Sequence, residues 1–382
     1  MDTLESNWLA LNLIPNLGVK TLRELLTHFE SVEKLLHASS AELVKKSGVS
    51  LKLANRISGA KEVSSYQIEK RLIKEYGVEL TCLESPTYPK VLKEISSPPP
   101  LFYRQGSLCS FEFPCISIVG SRSCTSYGKK HTRRLIFELA EAIPDLVIVS
   151  GLARGIDTVA HQAALEAGLS TIAVLAGGLK SIYPPENQPL SETIKNQGAL
   201  ITEFPMGLKP LAKNFPIRNR IISGLSQGIL VIEAGQKSGA LITAAFGLQH
   251  NREVFALPGN VDSPASRGSN KLISRHHAKL IVHARDIVEE LCLINPKLQQ
   301  IEFPFDNQQH ALKLSEFSQP KAAILTKLAS GPQDVDSLYL EINIEINKLL
   351  GILVELELEG YLHSLEGQRY QLNEKFKIEE GS

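Results

Sequence analysis

The chain is poor in cysteine, methionine and tryptophan, carries no net charge and contains no long apolar run. Its five cysteines, Cys82, Cys109, Cys115, Cys124 and Cys292, are odd in number and never spaced CxxC. That pattern excludes a disulfide framework or a cysteine-pair zinc site and fits reduced thiols in small apolar positions. No stretch approaches the roughly 18 apolar residues of a membrane span. Met1 to Asn12 holds Asp2 and Glu5 rather than a positive region followed by an apolar one, so no secretory signal is visible. The expectation is a cytoplasmic protein without a membrane segment. With 43% apolar residues and no period in its 26 Gly and 20 Pro, the chain is neither disordered nor fibrous. Its 382 residues suit two to three domains at roughly 100 to 200 residues each. Balanced charge, 41 Lys+Arg against 41 Asp+Glu, argues on its face against a broadly basic nucleic-acid binder.

What is present divides into five segments. Residues 1–60 read as short helices around two glycine turns, Ile14-Pro15-Asn16-Leu17-Gly18 and Lys46-Ser47-Gly48-Val49-Ser50, an outline similar to helix-hairpin-helix or SAM-like modules. Such a module holds a phosphate at its hairpin or serves only for packing. Residues 61–110 read as a charged helix and a rigid connector, because Ser97-Pro98-Pro99-Pro100 excludes helix and sheet interiors. Residues 111–295 carry the strongest rhythm. Apolar runs at 116–119, 146–149, 171–175, 199–202, 229–232, 253–257 and 279–282 alternate with helical segments, as in a parallel sheet covered on both faces. Residues 296–318, with Pro296, Pro304 and four glutamines, read as a linker. Residues 319–382 show three helices and a hairpin turning at Glu366-Gly367, a winged-helix outline. The fold class is thus α/β, an extended Rossmann-like parallel sheet flanked by an N-terminal helical SAM-like domain and a C-terminal winged helix.

Ligands of an open α/β sheet bind beyond the carboxyl ends of its strands, where this chain has small-residue loops. Gly120-Ser121-Arg122 follows one strand, and no acid occurs from Phe113 to Phe137 while five Lys/Arg do. Glycine admits backbone N–H groups to an oxygen-rich ligand, serine adds a hydroxyl, and arginine adds a charged fork. Phe204 to Ile232 is also free of acid and holds Lys209, Lys213, Arg218 and Arg220 around Phe215. A basic segment with one aromatic suits single-stranded nucleic acid, in which a base stacks on the ring for about 1–3 kcal/mol. The alternative leaves Phe215 in the core and Arg218 paired internally with Glu233.

Several enzyme motifs fail on context. Gly224-Leu225-Ser226-Gln227-Gly228 matches GxSxG but precedes a strand instead of following one. Gly128-Lys129-Lys130 lacks the first glycine and the final Ser/Thr of a P-loop. The loop from Ser150 to Gly155 lacks GxGxxG spacing, and His276-His277 has no ligand partners at metal spacing. Asp157 and His161 lie one helical turn apart, with Asp157 expected to cap the helix. No catalytic residue, metal or cofactor is assigned.

Taken in order, Ile118-Val119-Gly120-Ser121-Arg122, Tyr127-Gly128, Ser150-Gly151-Leu152-Ala153-Arg154-Gly155-Ile156-Asp157, Ala160-His161, Tyr183-Pro184, Asn187, Phe215-Pro216-Ile217-Arg218-Asn219-Arg220-Ile221-Ile222, Glu233-Ala234, Ser238-Gly239 and Pro258-Gly259 resemble the DNA-processing protein A (DprA/Smf) family. The resemblance implies an extended Rossmann fold that binds single-stranded DNA and catalyses no known reaction. It also implies a homodimer joined through the C-terminal part of the Rossmann domain, and delivery of RecA recombinase onto incoming single strands in natural transformation. Carried over, Gly120, Ser121 and Arg122 would hold phosphate, Lys213 and Phe215 would supply charge and a stacking platform, and Arg218 and Asn219 would complete the wall. Ser150, Gly151, Arg154, Lys180, Arg220, Ser238 and Gly239 are expected as further DNA contacts. Lys180 stands where the family commonly has Asp, and Leu272-Ile273-Ser274-Arg275-His276-His277-Ala278 departs from the family pattern near the expected dimer region.

Two other functions compete. A nucleoside monophosphate phosphoribohydrolase would use the same glycine loops, with Glu233 and Arg218 acting on a ribose, but Gly235-Gln236-Lys237-Ser238-Gly239-Ala240 is not its Pro-Gly-Gly-x-Gly-Thr stretch. A duplex-DNA regulator would use the winged helix, but residues 319–382 carry 6 basic and 11 acidic residues, the wrong sign for approaching phosphates. That module is expected to bind protein or its own chain. Residues 111–295 hold 19 basic and 15 acidic residues, so neutrality is a cancellation that leaves the positive charge on the central domain.

Overall fold

The computed structural model describes residues 2–15, 17–107, 112–291, 310–312, 314, 317–342, 344–365, 369–373 and 376–378. The chain divides into two compact units, Met1–Asn295 and Pro296–Ser382. Among the described residues no helix is long and apolar enough to cross a membrane.

The first unit opens with α1 (Thr3–Asn12), α2 (Val19–Phe29), α3 (Val32–His37), α4 (Ser40–Ser47) and α5 (Leu51–Ser58). Local chemistry sets their limits. Asp2 and Glu5 exchange bonds in a capping box at α1, and the Ser31, Ser39 and Ser50 side chains cap α3, α4 and α5. Gly48 ends α4 at φ +67°. The glycine turns fall between helices as the sequence predicts, with Asn16 outside the described residues. The helices share one core with the sheet: Trp8, Leu25, Leu35 and Ile57 cluster with Leu101, Tyr103, Leu175 and Leu200.

Residues 61–110 depart from the expected connector. They form α6 (Ser64–Glu75), β1 (Glu79–Cys82), α7 (Lys90–Lys93) and β2 (Leu101–Gly106). The prolines end at Pro100, and Leu101, Phe102 and Tyr103 behind them are fully buried. That short apolar run is a strand, joined to the sheet rather than suspended beside it.

The rest of the unit alternates as the rhythm implies. In chain order it runs β3 (Cys115–Val119), α8 (Ser126–Ala142), β4 (Val147–Ser150), α9 (Ile156–Glu166), β5 (Ser170–Val174), α10 (Gln188–Gln197), β6 (Ala199–Thr202) and α11 (Asn214–Leu225). It continues with β7 (Gly228–Val231), α12 (Ala240–Gln249), β8 (Glu253–Ala256), α13 (Arg267–Ser274), β9 (Lys279–Leu280) and α14 (Ala284–Glu290). One nine-stranded sheet results, in the order β1-β2-β6-β5-β4-β3-β7-β8-β9. It is parallel from β6 to β9, while β2 pairs antiparallel with both β1 and β6.

Alternation along the strands divides the core. Ile116, Ile118, Ile148 and Leu230 pack with Leu135, Ile136 and Ala160 on one face. Val119, Val147, Val149 and Val231 pack with Leu92, Ile221, Ile222 and Ala244 on the other. Both faces are therefore covered, which is why the strands read as unbroken apolar runs. The chain moves outward from β3 to β6 and then returns to the other side of β3, so the order reverses between β3 and β7.

The second unit contains β10 (His310–Leu312), α15 (Gln319–Ala329), β11 (Gln333–Asp334), α16 (Val335–Ile342), α17 (Ile346–Leu358), β12 (Leu362–Leu365), β13 (Arg369–Leu372) and β14 (Phe376–Ile378). Three helices over the antiparallel sheet β11-β13-β12 make a winged helix around Leu325, Leu328, Leu349 and Leu353. The expected turn at Glu366-Gly367 lies outside the described residues. Within the expected 296–318 linker, β10 pairs with β14, so ordered structure begins before 319.

Because the N-terminal helices and the sheet share a core, they should unfold together. Leu200→Ala, on β6, is expected to destabilise the fold by about 2–5 kcal/mol, with the fluorescence of buried Trp8 and the far-UV circular dichroism moving to the same lower midpoint. An unchanged Trp8 transition would show that the helices fold on their own.

Candidate functional site

β3 and β7 are neighbours at the reversal, so the loops leaving their carboxyl ends diverge and open a crevice. The cleft there holds about 530 Å³. Gly120, Ser121, Arg122 and Ser123 line it from β3, Ala153 and Asp157 from beyond β4, and Lys237, Ser238 and Gly239 from β7. Phe215, Arg218 and Asn219 of α11 form the remaining side.

Buried polar groups fix these loops. Glu233, 2% exposed, accepts from the Thr125 N–H at 2.9 Å and from the Thr125 hydroxyl at 2.6 Å. Thr125 in turn caps α8, accepting from the Gly128 N–H at 3.3 Å. Thus the loop after β3 is tied to the loop after β7. Gly155, at φ +78°, lets the chain turn into α9 where a Cβ would lie 2.2 Å from the Ser121 carbonyl oxygen.

Arg218 joins the other walls. Its guanidinium is buried and donates to the Gly151 carbonyl at 2.7 Å and to the Val174 carbonyl, while Nε donates to Asn219 Oδ1 at 3.1 Å. A Cβ at Gly151 would stand 2.5 Å from that guanidinium, so the glycine makes room for the arginine. Burial pulls the Arg218 pKa down to about 10, leaving it charged at neutral pH. Asn219 Nδ2 donates to the Gly239 carbonyl at 3.4 Å, linking α11 to the loop after β7.

At the mouth, the exposed Arg122 guanidinium lies over the Phe215 ring, 4.8 Å from its centroid. Tyr183 meets the same ring edge-on at 6.0 Å. Among the described residues Arg122 has no carboxylate partner within 4 Å, so its N–H donors remain available to an oxyanion.

Eight of the predicted contacts therefore meet in one place: Gly120, Ser121, Arg122, Phe215, Arg218, Asn219, Ser238 and Gly239. Others do not. Ser150 is fully buried and donates to the Ile118 carbonyl at 2.6 Å, and the Gly151 carbonyl is taken by Arg218. Arg220 is buried in a two-pronged ion pair with Glu203, at 2.9 and 2.5 Å. As DNA contacts Ser150 and Arg220 are corrected to structural residues. Arg154 pairs with Glu186 outside the cleft lining, and Lys180 and Lys213 are exposed on neighbouring loops, also outside it. The sequence reading missed Lys237. Its signal was present, a lysine inside a glycine-rich loop directly after a strand.

Asp157 does not cap the helix as expected, while His161 lies on that helix. α9 starts at Ile156 with no side-chain cap, and Asp157 lies inside its first turn, accepting from the Ala153 N–H at 3.4 Å. Burial pushes the carboxyl up to about 6 against the pull of the Arg218 charge. His161 is fully buried, with Nδ1 2.7 Å from the Thr171 hydroxyl, and burial drives its pKa down to about 3. The two groups that a ribohydrolase would turn on a ribose, Glu233 and Arg218, are occupied by Thr125 and by backbone carbonyls. Among the described residues no group of three or more His, Cys, Asp and Glu is placed to hold a metal.

Comparison with known proteins agrees with this architecture. Residues 79–292 match the family model described as DNA recombination-mediator protein A, and residues 308–368 match the DprA winged helix domain. The chain is 34% identical over 395 residues to protein Smf of Synechocystis sp., covering 96% of this chain and 98% of the relative. It is 43% identical over 203 residues to DNA processing protein DprA of Streptococcus pneumoniae, covering 53% of this chain and 71% of the relative. The X-ray structure of the Streptococcus pneumoniae protein superposes with a TM-score of 0.66 at 34% identity, covering 76% of this chain and 99% of that one. A structure of DNA processing protein A from Helicobacter pylori, solved for its single-stranded DNA binding mode, gives a TM-score of 0.50 at 29% identity, with 56% and 96% coverage.

The buried pair predicts a pH dependence. His161 is held neutral when folded and takes its proton only on unfolding, so its contribution is complete above pH 6.5 and is lost as pH falls towards 3. Asp157 works in the opposite direction between about 6 and 3.8, over a shorter span. The native protein should lose Tm on acidification below pH 6.5, and His161→Gln should lose less. Equal losses would contradict the assignment.

Proposed function

Because the chain belongs to the DNA recombination-mediator protein A (DprA/Smf) family, we propose that its central cleft binds single-stranded DNA as an accessory of homologous recombination. The observation that carries this reading is Arg122 over Phe215. A charged fork with free donors and an aromatic face share one mouth, so a phosphate and its neighbouring base can be engaged together. Ser121, Ser123 and Ser238 surround that mouth with hydroxyls. Exposed Lys209, Lys213 and Lys237 add positive charge along the chain's approach.

In the fuller proposal the protein covers incoming single strands, brings RecA recombinase onto them during natural transformation, and works in the cytoplasm without chemistry of its own. A homodimer would form through the C-terminal part of the Rossmann domain. There the edge strand β9 presents Leu280, 45% exposed, with Val282 just beyond it at 47%. The departing Ser274-Arg275-His276-His277 segment forms the turn from α13 into β9. The winged helix would serve a protein partner or the chain itself, since Lys321 is engaged by Glu355 at 2.9 Å and Glu359 at 3.2 Å rather than offered to phosphate.

Two measurements test this. If Arg122, Lys209, Lys213 and Lys237 each meet one phosphate, log K for an oligo-dT should fall against log salt with a slope near −3, at about 0.7 per phosphate. Arg122→Ala should weaken binding and make the slope shallower by about 0.7. No binding at low salt, or no loss in the variant, would overturn the reading. For the recombination role, adding the protein to single strands coated with a single-strand-binding protein should speed RecA filament formation. An unchanged rate would remove that part.

A further inference from the structure

Phosphate binding leaves one residue of the cleft without a purpose. Asp157 is the single acid among the described residues that line it, in a surface of arginine, lysine, hydroxyls, glycine and apolar side chains. It is 7% exposed and forms no ion pair within 4 Å among the described residues. Its protein partners are the backbone N–H groups of Ala153, at 3.4 Å, and Gly151. A carboxylate accepts about four hydrogen bonds, so acceptor capacity is left over on a group that borders the cleft.

A carboxylate deep in a DNA site repels phosphate, and the repulsion grows as water is displaced. The part of a nucleotide that it favours is one that donates hydrogen bonds. Asp157 lines the same cleft as Phe215, Arg122 and Arg218, and the two guanidiniums lie 4.8 and 5.9 Å from the Phe215 ring centroid. A base stacked on that ring, with its phosphate at Arg122, would share the cleft with the acid. Cytosine, adenine and guanine carry an exocyclic amino group on the base edge, whereas thymine carries two carbonyls around one imino N–H.

Resting on the single-strand reading above, we infer that Asp157 reads the edge of the base held on Phe215, accepting a hydrogen bond from an exocyclic amino group, so that the cleft favours amino-bearing bases over thymine. An acid kept in the first turn of α9 only to complement the helix dipole would show no such preference.

The test compares oligo-dC and oligo-dT of about eight nucleotides, at equal salt and slightly alkaline pH, so that phosphate contacts are the same. The native protein should bind oligo-dC about tenfold tighter, the factor for one good base contact. Asp157→Asn should bring the two affinities close together. A second arm needs no variant: oligomers with 2-pyrimidinone in place of cytosine lack only the amino group and should bind the native protein like oligo-dT. Equal affinity of the native protein for oligo-dC and oligo-dT, or a preference that survives both changes, would overturn the proposal while leaving single-strand binding intact. Failure of either oligomer to bind would instead remove the single-strand reading, and this one with it.

Discussion

The site depends on the burial of one charge. Arg218 lies inside the domain, 3% exposed, without a carboxylate within 4 Å among the described residues, and it stays there because carbonyl oxygens meet its donors. Those carbonyls come from the ends of β4 and β5, so the guanidinium fastens the start of α11 to the carboxyl edge of the sheet. Phe215, one turn earlier on α11, is thereby fixed over the loop after β3, where Arg122 can reach it. Removing the arginine would leave the Gly151 and Val174 carbonyls unsatisfied as well as freeing the helix, a loss of about 1–3 kcal/mol for each such group.

A second brace, Glu233 on Thr125, fixes the opposite wall. The division of labour is physical. Buried polar groups such as Arg218, Glu233, Asn219 and Ser150 spend their hydrogen bonds inside the protein and give the walls their shape. Exposed groups such as Arg122 and Lys237 line the cleft without an ion pair among the described residues. Overall neutrality conceals an uneven distribution: the acidic winged helix offsets a net basic central domain, which places Arg122, Arg218 and Lys237 in the lining of the cleft.

Much of this was legible in the sequence, for reasons that can be named. The seven apolar runs of the central domain became strands β3 to β9, because a sheet covered on both faces writes itself as uninterrupted apolar stretches. The glycine loops were legible because ligand sites in such sheets lie beyond the strand ends. The edge strand β1 was hidden by its four-residue length, and its neighbour β2 by Pro98 to Pro100, which precede it directly. Within the site, the acid-free window from Phe204 to Ile232 located α11 but could not sort its arginines. Arg220 is consumed by Glu203, one residue before the window opens, and Arg218 by backbone, which no charge count registers. Lys237 stands alone between glycines five residues after the acid-free window ends, so no run of charge marks it.

The central claim is that a nucleobase of single-stranded DNA takes the face of the Phe215 ring at the mouth of this cleft. The most direct measurement places a fluorophore there. In Phe215→Trp the new indole stands at the mouth, while the native Trp8 is buried, 1% exposed, away from it in the shared helical core. Titration with a short single strand should quench the new emission in a saturable, salt-sensitive way, and duplex of the same sequence should not. An emission indifferent to single strands that nonetheless bind would place the DNA elsewhere and contradict the account.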